Sequence, residues 1–319
     1  VDGIACNEPT FDSCNFNYDI DSTGDATTNA AYAAVEYDVT DQLTLDFGLR
    51  FENHEVQYTV DEGLDGLVTL AIDFDESEVS WTAAANYALN DNMGIFGRIN
   101  SGHKMPYFDD FRDNRDAFAN GNDLIIDVEQ FEAGYKYAAD YFSLYATAFY
   151  TEVDPSFFVA LAGVTQGVAS KNEALGLEID ANYYTEFGLS VNLNATVQES
   201  EIVGTADDGN EVQRQPGWQL RVTPSYEFGI GDAAATIYGT LSAVDDRFSD
   251  NANTVVLDGY EKLDLGALIT FDDRLSFQVT IDNVTDEDGL TEGDPRNPNA
   301  PNGRFILPRS AKFSVSYAF

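Results

Sequence analysis

Cationic and aromatic side chains gather in one stretch of this sequence, residues 103–124. Flat rings and positive groups side by side bind small molecules by stacking and charge. We therefore expect this stretch to contact a ligand, and the alternative is that its rings only pack the loop. The candidates in it are His103, Lys104, Phe108, Phe111, Arg112 and Arg115.

Two further groups complete the set of ligand-contact candidates. Residues 155–168 carry Phe157 and Phe158 and no charge, so we expect them to form an apolar loop that folds over a cavity mouth. Arg98 and Arg221 stand on the polar side of alternating segments, where they would face a ligand path.

Catalytic signatures are missing from the sequence. It contains no Gly-x-Ser-x-Gly, phosphate-binding loop, Cys-x-x-Cys or His-Glu-x-x-His pattern. Its two histidines, His54 and His103, favour contacts with ligand or solvent over a metal centre. We predict that the protein is not an enzyme and carries no cofactor.

The charge is strongly acidic, with 56 Asp and Glu against 16 Lys and Arg and a net charge of −40. Nucleic acid binding needs the opposite balance and is excluded. Residues 1–26 and 61–78 contain acids but no Lys or Arg, which predicts solvated loops. Structural Ca²⁺ in these loops is one functional interpretation of the acids, and adaptation to a saline habitat is another.

Cys6 and Cys14 are the two cysteines and lie among Asn, Pro, Asp and Ser. Their spacing in a polar stretch favours a local disulfide in an oxidising compartment over a zinc site. Two free thiols are the alternative.

The elements that position these residues show a period of two. Apolar and polar residues alternate in about thirteen blocks of roughly 10 to 13 residues, as in Leu43–Glu52. Charged residues such as Arg50, Glu132 and Asp264 stand opposite the apolar face, where a dry core would penalise them by several kcal/mol each. Membrane-crossing strands have this length, with lipid outside and water inside. The sequence predicts an all-β, transmembrane antiparallel barrel.

The connections alternate between tight turns and long links. The long links are expected at 56–76, 103–124, 154–170, 201–215, 245–257 and 284–304, and residues 1–25 are expected to be loop. Short turns at one end and long loops at the other are typical of outer-membrane barrels. Helical periodicity is absent. Aromatic residues near block ends, such as Trp81, Tyr183 and Trp218, predict interfacial girdles.

The last sixty residues resemble the C-terminus of TonB-dependent outer-membrane receptors. The segment Gly259–Gly266 is similar to the family's Tyr-x-x-Leu-Asp-Leu strand, and Ile281–Glu287 is similar to its Val-x-Asn-Leu-Thr-Asp-Glu stretch. The chain ends on Phe319, as these barrels do. Residues 97–106 resemble a mid-barrel Ser-x-Gly-aromatic-x-x-Pro stretch, although His103 replaces the aromatic residue.

This resemblance implies a barrel of about 22 strands with a plug in its lumen. Residues 1–319 would then be the C-terminal part of the barrel, with the plug and about nine strands upstream. It also implies a Gram-negative outer membrane, contact with its lipid, and energy from the TonB–ExbB–ExbD complex.

The implied function is active import of a scarce small molecule or chelate: a ferric siderophore, haem, cobalamin or an oligosaccharide. Two alternatives remain. One is a complete passive porin of about 12 to 16 strands, and the other is an outer-membrane barrel enzyme.

Overall fold

Alternating apolar and polar residues form a large antiparallel sheet in the computed structural model of the chain. The structure describes residues 20–62, 68–114, 118–119, 121–159, 167–271, 274–293 and 303–319. Cys6, Cys14 and Arg115 lie outside these residues, so the disulfide and the role of Arg115 stay predictions.

The described secondary structure consists of one short helix, two further helical residues at 118–119, and seventeen strands. The helix α1 is Phe108–Asp113. In chain order the strands are β1 Ile20–Asp38, β2 Leu43–Glu62, β3 Val68–Asn90, β4 Met93–Lys104, β5 Ile126–Ala139, β6 Phe142–Val159, β7 Gly167–Tyr184, β8 Leu189–Val203, β9 Trp218–Ile230, β10 Ala233–Val244, β11 Arg247–Phe248, β12 Val256–Leu257, β13 Tyr260–Phe271, β14 Leu275–Asp282, β15 Leu290–Gly293, β16 Gly303–Phe305 and β17 Ser310–Tyr317.

Thirteen of these strands form one sheet, in the order β1 to β10, then β13, β14 and β17. Each strand of this sheet pairs antiparallel with the sheet strand that follows it in sequence, so the sheet is a meander. The predicted number of strands and the all-β class are confirmed. The small pairs β11–β12 and β15–β16 lie in the connections of the long-loop end.

The strand register sorts the side chains onto two faces. One row of directly opposed residues is almost entirely apolar: Leu45, Ala85, Gly97, Ala133, Ala148, Leu177, Val197 and Trp218. The row one position along is mostly polar: Thr44, Asn86, Phe96, Gly134, Thr147, Glu178, Thr196 and Gln219. A face of apolar rows suits lipid and a face of polar rows suits water, because each solvent satisfies the groups turned toward it.

Hydrogen bonds between neighbouring strands cover the polar, inward face. Arg98 Nη2 pairs with Glu132 Oε1 at 2.7 Å, directly across the β4–β5 register. Lys136 Nζ donates to Asn86 Oδ1 at 2.8 Å and lies 4.7 Å from the centroid of the Phe96 ring. These inward charges therefore have partners on the wall itself.

Three expectations about connections are wrong. β1 begins at Ile20, inside the expected loop 1–25, and β2 and β3 pair through most of the expected link 56–76. β6 and β7 likewise pair within 154–170, with Phe157 opposite Ala169 and Phe158 opposite Val168, so these phenylalanines belong to a hairpin and not to an apolar loop. Asp, Glu and Gly are poor strand formers, so the sequence favoured loop here, and pairing with a neighbouring strand overrides that propensity.

A helix also occurs where only loop was expected. The helix α1 has six residues, which is too short to give a detectable helical period in the sequence. Among the described residues, no helix is long and apolar enough to cross a membrane.

Candidate functional site

The inward face of β1, β2 and β3 changes character toward the long-loop end. Nearer the short turns this face carries charges such as Arg50 and Glu52. Nearer the long loops it carries apolar side chains: Ala26, Val56, Tyr58, Ile72 and Phe74. We call residues 20–28, 54–62 and 68–76 the wall extension. An apolar inward face at this height must be covered, because exposing it to water costs about 25 cal/mol per Å².

The cover comes from the described part of residues 105–125, without 115–117 and 120, which we call the α1 segment. Its Phe111, Leu124 and Ile125 are buried against Val56 and Phe74. The Phe111 ring meets Phe74 edge-on at a centroid distance of 5.3 Å, and the described Phe118 meets Phe111 at 5.1 Å. Phe108 and Phe111 share one face of the helix because they are three residues apart. The segment therefore folds inward onto the wall.

His54 fastens the α1 segment to the strands. It is 4% exposed, and its Nε2 lies 3.1 Å from the carbonyl oxygen of Pro106, which is also buried. A carbonyl only accepts, so Nε2 carries the proton and, in the neutral ring, Nδ1 accepts from Thr28 Oγ1 at 2.7 Å. One side chain of β2 thus joins β1 to the segment. From the sequence we expected His54 to contact ligand or solvent, whereas it is buried and links strand and segment.

The predicted ligand contacts of the α1 segment take different positions. Phe111 is 0% exposed and has no surface to offer a ligand in this arrangement, which agrees with the packing alternative. Phe108 is half-buried and stacks on Tyr58 at a centroid distance of 5.0 Å. Both rings hold the segment on the wall.

The cations near α1 are paired with acids of the same stretch. Lys104 Nζ lies 2.9 Å from Asp110 Oδ1, and Arg112 Nη1 lies 2.9 Å from Asp109 Oδ1. Lys104 is exposed, so a ligand can reach it at the expense of one surface ion pair, typically about 0–1 kcal/mol.

His103 stands where β4 ends, and its Nδ1 lies 3.0 Å from Ser80 Oγ. Asp127 lies opposite His103 on β5. It is nearer the long-loop end than Phe131, where the apolar positions of β5 begin. Partial burial and the carboxylates of Glu78 and Asp123 raise the pKa of Asp127 above its usual range. Carboxylates therefore dominate the mouth beside β5, where a polyanion would be repelled.

Arg98 and Arg221 are not part of the α1 segment site. Both lie on the inward face, Arg98 on β4 against Glu132 and Arg221 on β9 opposite Asn194 and Ser242. The predicted contacts thus divide between the mouth and the lumen wall, and their roles in binding stay predictions.

No group of three or more His, Cys, Asp or Glu within the described residues is placed to hold a metal ion. Residues 1–19 and 63–67, which include most of the acidic stretch at the start of the chain, are outside these residues. Structural Ca²⁺ in the acidic loops stays a prediction.

Tyr107 is a candidate contact that sequence reasoning did not select. It is 53% exposed, and its ring packs on Phe108 at a centroid distance of 4.4 Å. The sequence gave little indication of this role, because the contact of Tyr107 with Phe108, and of Phe108 with Tyr58, depends on the fold.

A second packed region closes the other side of the long-loop end. We call residues 204–217, 245–259 and 283–309, without the undescribed 294–302, the C-terminal rim. Arg247 is 5% exposed and its Nη2 donates to Leu290 O at 2.6 Å. Arg214 Nη1 pairs with Glu292 Oε1 at 2.7 Å, and its backbone N–H donates to Phe248 O at 2.6 Å. Each loop of the rim therefore contacts the other two.

Asn283 explains part of the sequence motif near the C-terminus. Its φ of 51° is left-handed, a conformation that Asn tolerates better than most residues. Its side chain is buried and donates to Glu287 O at 2.9 Å and to Leu307 O at 3.0 Å. The backbone N–H donates to Asp264 Oδ1 at 2.8 Å, so one residue fixes the exit from β14.

Comparisons with known proteins agree with this architecture. The TonB dependent receptor-like β-barrel family matches residues 5–284. The pesticin receptor of Yersinia enterocolitica serotype O:8 is 25% identical over 289 residues, which cover 86% of this chain and 42% of that receptor. The rhizobactin receptor of Rhizobium meliloti is 24% identical over 307 residues, which cover 84% of this chain and 39% of that receptor. The chain thus spans about two fifths of the length of these curated relatives.

Two solved structures share the same fold. The ferric yersiniabactin uptake receptor from Yersinia pestis superposes with a TM-score of 0.78 at 21% identity, over 94% of this chain and 47% of that one. The unliganded ferric citrate transporter superposes with a TM-score of 0.73 at 17% identity, over 96% of this chain and 47% of that one.

Proposed function

Because the chain belongs to the TonB-dependent receptor β-barrel family, whose members are outer-membrane proteins of Gram-negative bacteria, we propose that it forms part of the wall of an active importer. The cargo is a scarce small molecule or chelate, with a ferric siderophore first among the options. Haem, cobalamin and an oligosaccharide are the others. The relatives named as receptors for rhizobactin and ferric yersiniabactin support this order.

The observation that carries the proposal is the inward face. It is polar and hydrogen-bonded along the strands, and at the long-loop end it is covered by the α1 segment. A polar wall carries a hydrated ligand, and a folded segment at its mouth provides a surface for selecting one. A passive pore needs only the wall.

The remaining parts of the proposal follow from the family. Residues 1–319 belong to the barrel, the outward face contacts outer-membrane lipid, and energy comes from the TonB–ExbB–ExbD complex. The family consists of receptors and transporters, and we propose that the chain performs no covalent chemistry. The described residues bind and guide a ligand by hydrogen bonds, ion pairs and ring contacts.

The test is uptake of ⁵⁵Fe as ferric chelates by iron-starved cells that carry the full-length protein, with a deletion strain as background. We expect uptake that saturates with chelate concentration and is abolished by an uncoupler or by loss of TonB. Uptake that rises linearly with concentration and persists with the uncoupler would show a passive porin. No chelate uptake, but TonB-dependent uptake of an oligosaccharide or cobalamin, would move the proposal to another cargo.

A lumen variant makes the same experiment specific to this chain. Arg98→Gln removes the charge that faces the lumen beside Glu132, whereas Ile99→Val on the next, outward position changes only the lipid side. We expect the first variant to raise the apparent KM of uptake and the second to leave it unchanged.

A further inference from the structure

A groove of about 720 Å³ lies on the outward face of the sheet, across the adjacent strands β8, β9, β10 and β13. Its lining is mainly apolar and comes from three neighbouring rows of the strand register. In order from the short turns, these rows contain Tyr226 and Ile237, then Gly239 and Leu265, then Leu241 and Leu263. We call this feature the outward groove.

Gly239 creates the outward groove because it brings no side chain to the middle row. On β9, Pro224 lines the groove at this level with a compact ring. The rows on either side of Gly239 are four residues apart along each strand, or about 13 Å. The inward residues Tyr238 and Gly266 also line the groove, so its floor reaches the backbone of the sheet.

The outward groove lies in the half of the sheet next to the short turns. Leu189, which lines it, is the first residue of β8. The Phe187 ring of the preceding turn lies 6.5 Å from the Tyr226 ring at the base of the groove, and Trp218 begins β9 at the long-loop side. Aromatic residues mark the two membrane interfaces of such barrels, so the groove is inside the apolar band and nearer its short-turn side.

A segment in the lumen cannot cover the outward groove, because the groove opens on the opposite side of the wall. It also lies away from both edge strands of the sheet, β1 and β17, since β7 flanks it on one side and β14 on the other. Its walls are therefore formed by strands that the structure describes and do not depend on strands beyond those edges.

The outward groove has the chemistry of an apolar ligand site. None of its described lining residues is charged, and Ile237 and Leu265 are 49% and 41% exposed along its walls. The groove is continuous with the apolar band that suits lipid, so acyl chains surround it. An acyl chain can bend into such a notch and contact carbon atoms at its sides as well as below, whereas a void under the chains would forfeit these contacts.

We propose that the outward groove is a binding site for one acyl chain of a phospholipid in the periplasmic leaflet. The short turns of outer-membrane barrels are periplasmic, and the groove is on their side. Phospholipid forms that leaflet, whereas lipopolysaccharide occupies the outer one. The inference rests on lipid contact of the outward face, which is part of the proposed function, and it is independent of the cargo.

The experiment labels the full-length protein in bilayers with a phospholipid probe. The protein is reconstituted into nanodiscs of phosphatidylethanolamine and phosphatidylglycerol, with a small share of phosphatidylethanolamine whose acyl chain carries a photoreactive diazirine. After irradiation, mass spectrometry of peptides compares labelling of residues 222–226, 237–241 and 263–265 with labelling of a reference row on the outward face, Ala85, Gly97 and Ala133. We expect the groove to be labelled several-fold more than the reference row.

Two variants change the groove without adding charge. Gly239→Leu fills the notch with a small shift of the Leu265 side chain, and Ile237→Ala removes part of one wall. The matched controls are Gly97→Leu, at an outward glycine of β4, and Leu177→Ala, at an exposed outward residue of β7.

We expect both groove variants to lower groove labelling roughly tenfold, the factor that about ten lost carbon–carbon contacts would give. Both controls should leave it unchanged. If Gly239→Leu does not assemble in the membrane, Ile237→Ala alone decides the outcome.

A second measurement identifies the occupant. Native mass spectrometry of the wild type, extracted from outer membranes in a mild detergent, should show one retained phospholipid mass. Gly239→Leu should lose this mass and Gly97→Leu should keep it. A retained lipid A mass, or a second protein chain in place of a lipid, would overturn the assignment.

The labelling results separate this inference from the proposed function. Equal labelling of the groove and the reference row would overturn the groove as a binding site, and so would labelling that the groove variants leave unchanged. No labelling of either region would reject lipid contact itself, and the barrel assignment with it. Neither readout involves transport, so a protein that imports no ferric chelate can still carry the site.

Discussion

At the scale of single residues, the mouth is organised by one buried histidine. His54 connects Thr28 on β1 with Pro106 of the α1 segment, and its two contacts use both ring nitrogens. Nothing in the spacing of His54 in the sequence indicated this role, because its partners are 26 and 52 residues away. Long-range partners of a single polar residue are invisible to local pattern.

His54→Ala should loosen the α1 segment without unfolding the wall. The buried carbonyl of Pro106 loses its donor, which costs about 1–3 kcal/mol. We expect amides of residues 105–125 to exchange hydrogen roughly tenfold faster or more, with β2 unchanged below residue 52. Glu55→Ala, on the next outward position of the same strand, is the control. Equal exchange in both variants would contradict the role of His54.

Gly266 shows a second residue-scale constraint, in the wall. It lies directly opposite Tyr238, and a Cβ at this position would overlap the Tyr238 ring. Gly266→Ala should therefore destabilise the barrel by about 1–3 kcal/mol, because the ring must leave its position.

The measurement for Gly266 is the temperature at which the detergent-resistant barrel unfolds on semi-native gels. Gly229→Ala is the matched control, since a Cβ there meets no atom within 4 Å. A Gly266→Ala protein as heat-stable as the control would refute the overlap.

At the scale of elements, the thirteen strands were predictable and their ends were not. Alternation in segments such as Leu43–Phe51 and Leu275–Ile281 set the faces of β2 and β14, since a shift of one residue would turn every apolar side chain to the wrong solvent. The wall extension was interpreted as loop because Asp61, Glu62 and Asp73 resemble turn residues. It forms strand because its inward apolar residues are covered by the α1 segment, which sequence alone does not place.

The candidate site was also predictable only in part: the stretch could be found from the sequence, but the exposure of its rings could not. The aromatic and cationic composition of residues 103–124 predicted a ligand-contact loop, which stays a prediction, and composition does not separate a buried ring from an exposed one. Phe111 and Tyr107 are four residues apart and differ from 0% to 53% in exposure. Only the position of the wall extension decides which of them faces solvent.

The C-terminal rim gives a prediction at this scale. Arg247→Met should remove the donor to Leu290 O and the cation near the Tyr260 ring, at about 1–3 kcal/mol. We expect faster hydrogen exchange in residues 283–293 and, through their contacts with Arg214, in residues 204–217. The matched control is Arg304→Met, because Arg304 is largely exposed and pairs with Glu292 at 3.1 Å. Faster exchange confined to residues 245–259 would argue that the loops act separately.

At the scale of the whole molecule, the two faces of the sheet demand different solvents. The outward face exposes Ile237, Leu177 and Phe47, and the inward face carries paired charges. This division fits the outer-membrane location shared by the family, because lipid and water each take the face that suits them.

A positive charge should therefore destabilise the barrel on the outward face and be tolerated on the inward face. Ile237→Arg turns a cation to lipid and should cost about 2–4 kcal/mol near the bilayer midplane. Thr236→Arg, one residue earlier, faces the lumen opposite Glu227 and should be tolerated. The yield of folded protein in purified outer membranes measures both. Equal yields would contradict the assignment of faces.

The shared contacts of the C-terminal rim also limit how this protein can be re-engineered. The α1 segment contacts the barrel mainly through the wall extension, so a foreign segment needs to match one surface around Val56 and Phe74. A single loop taken from the C-terminal rim loses contacts with the others, because Arg214 bonds to Phe248 and Gly293 and Arg247 bonds to Leu290. Grafting a new specificity onto that side requires residues 204–217, 245–259 and 283–309 to be transplanted together, as one inherited unit.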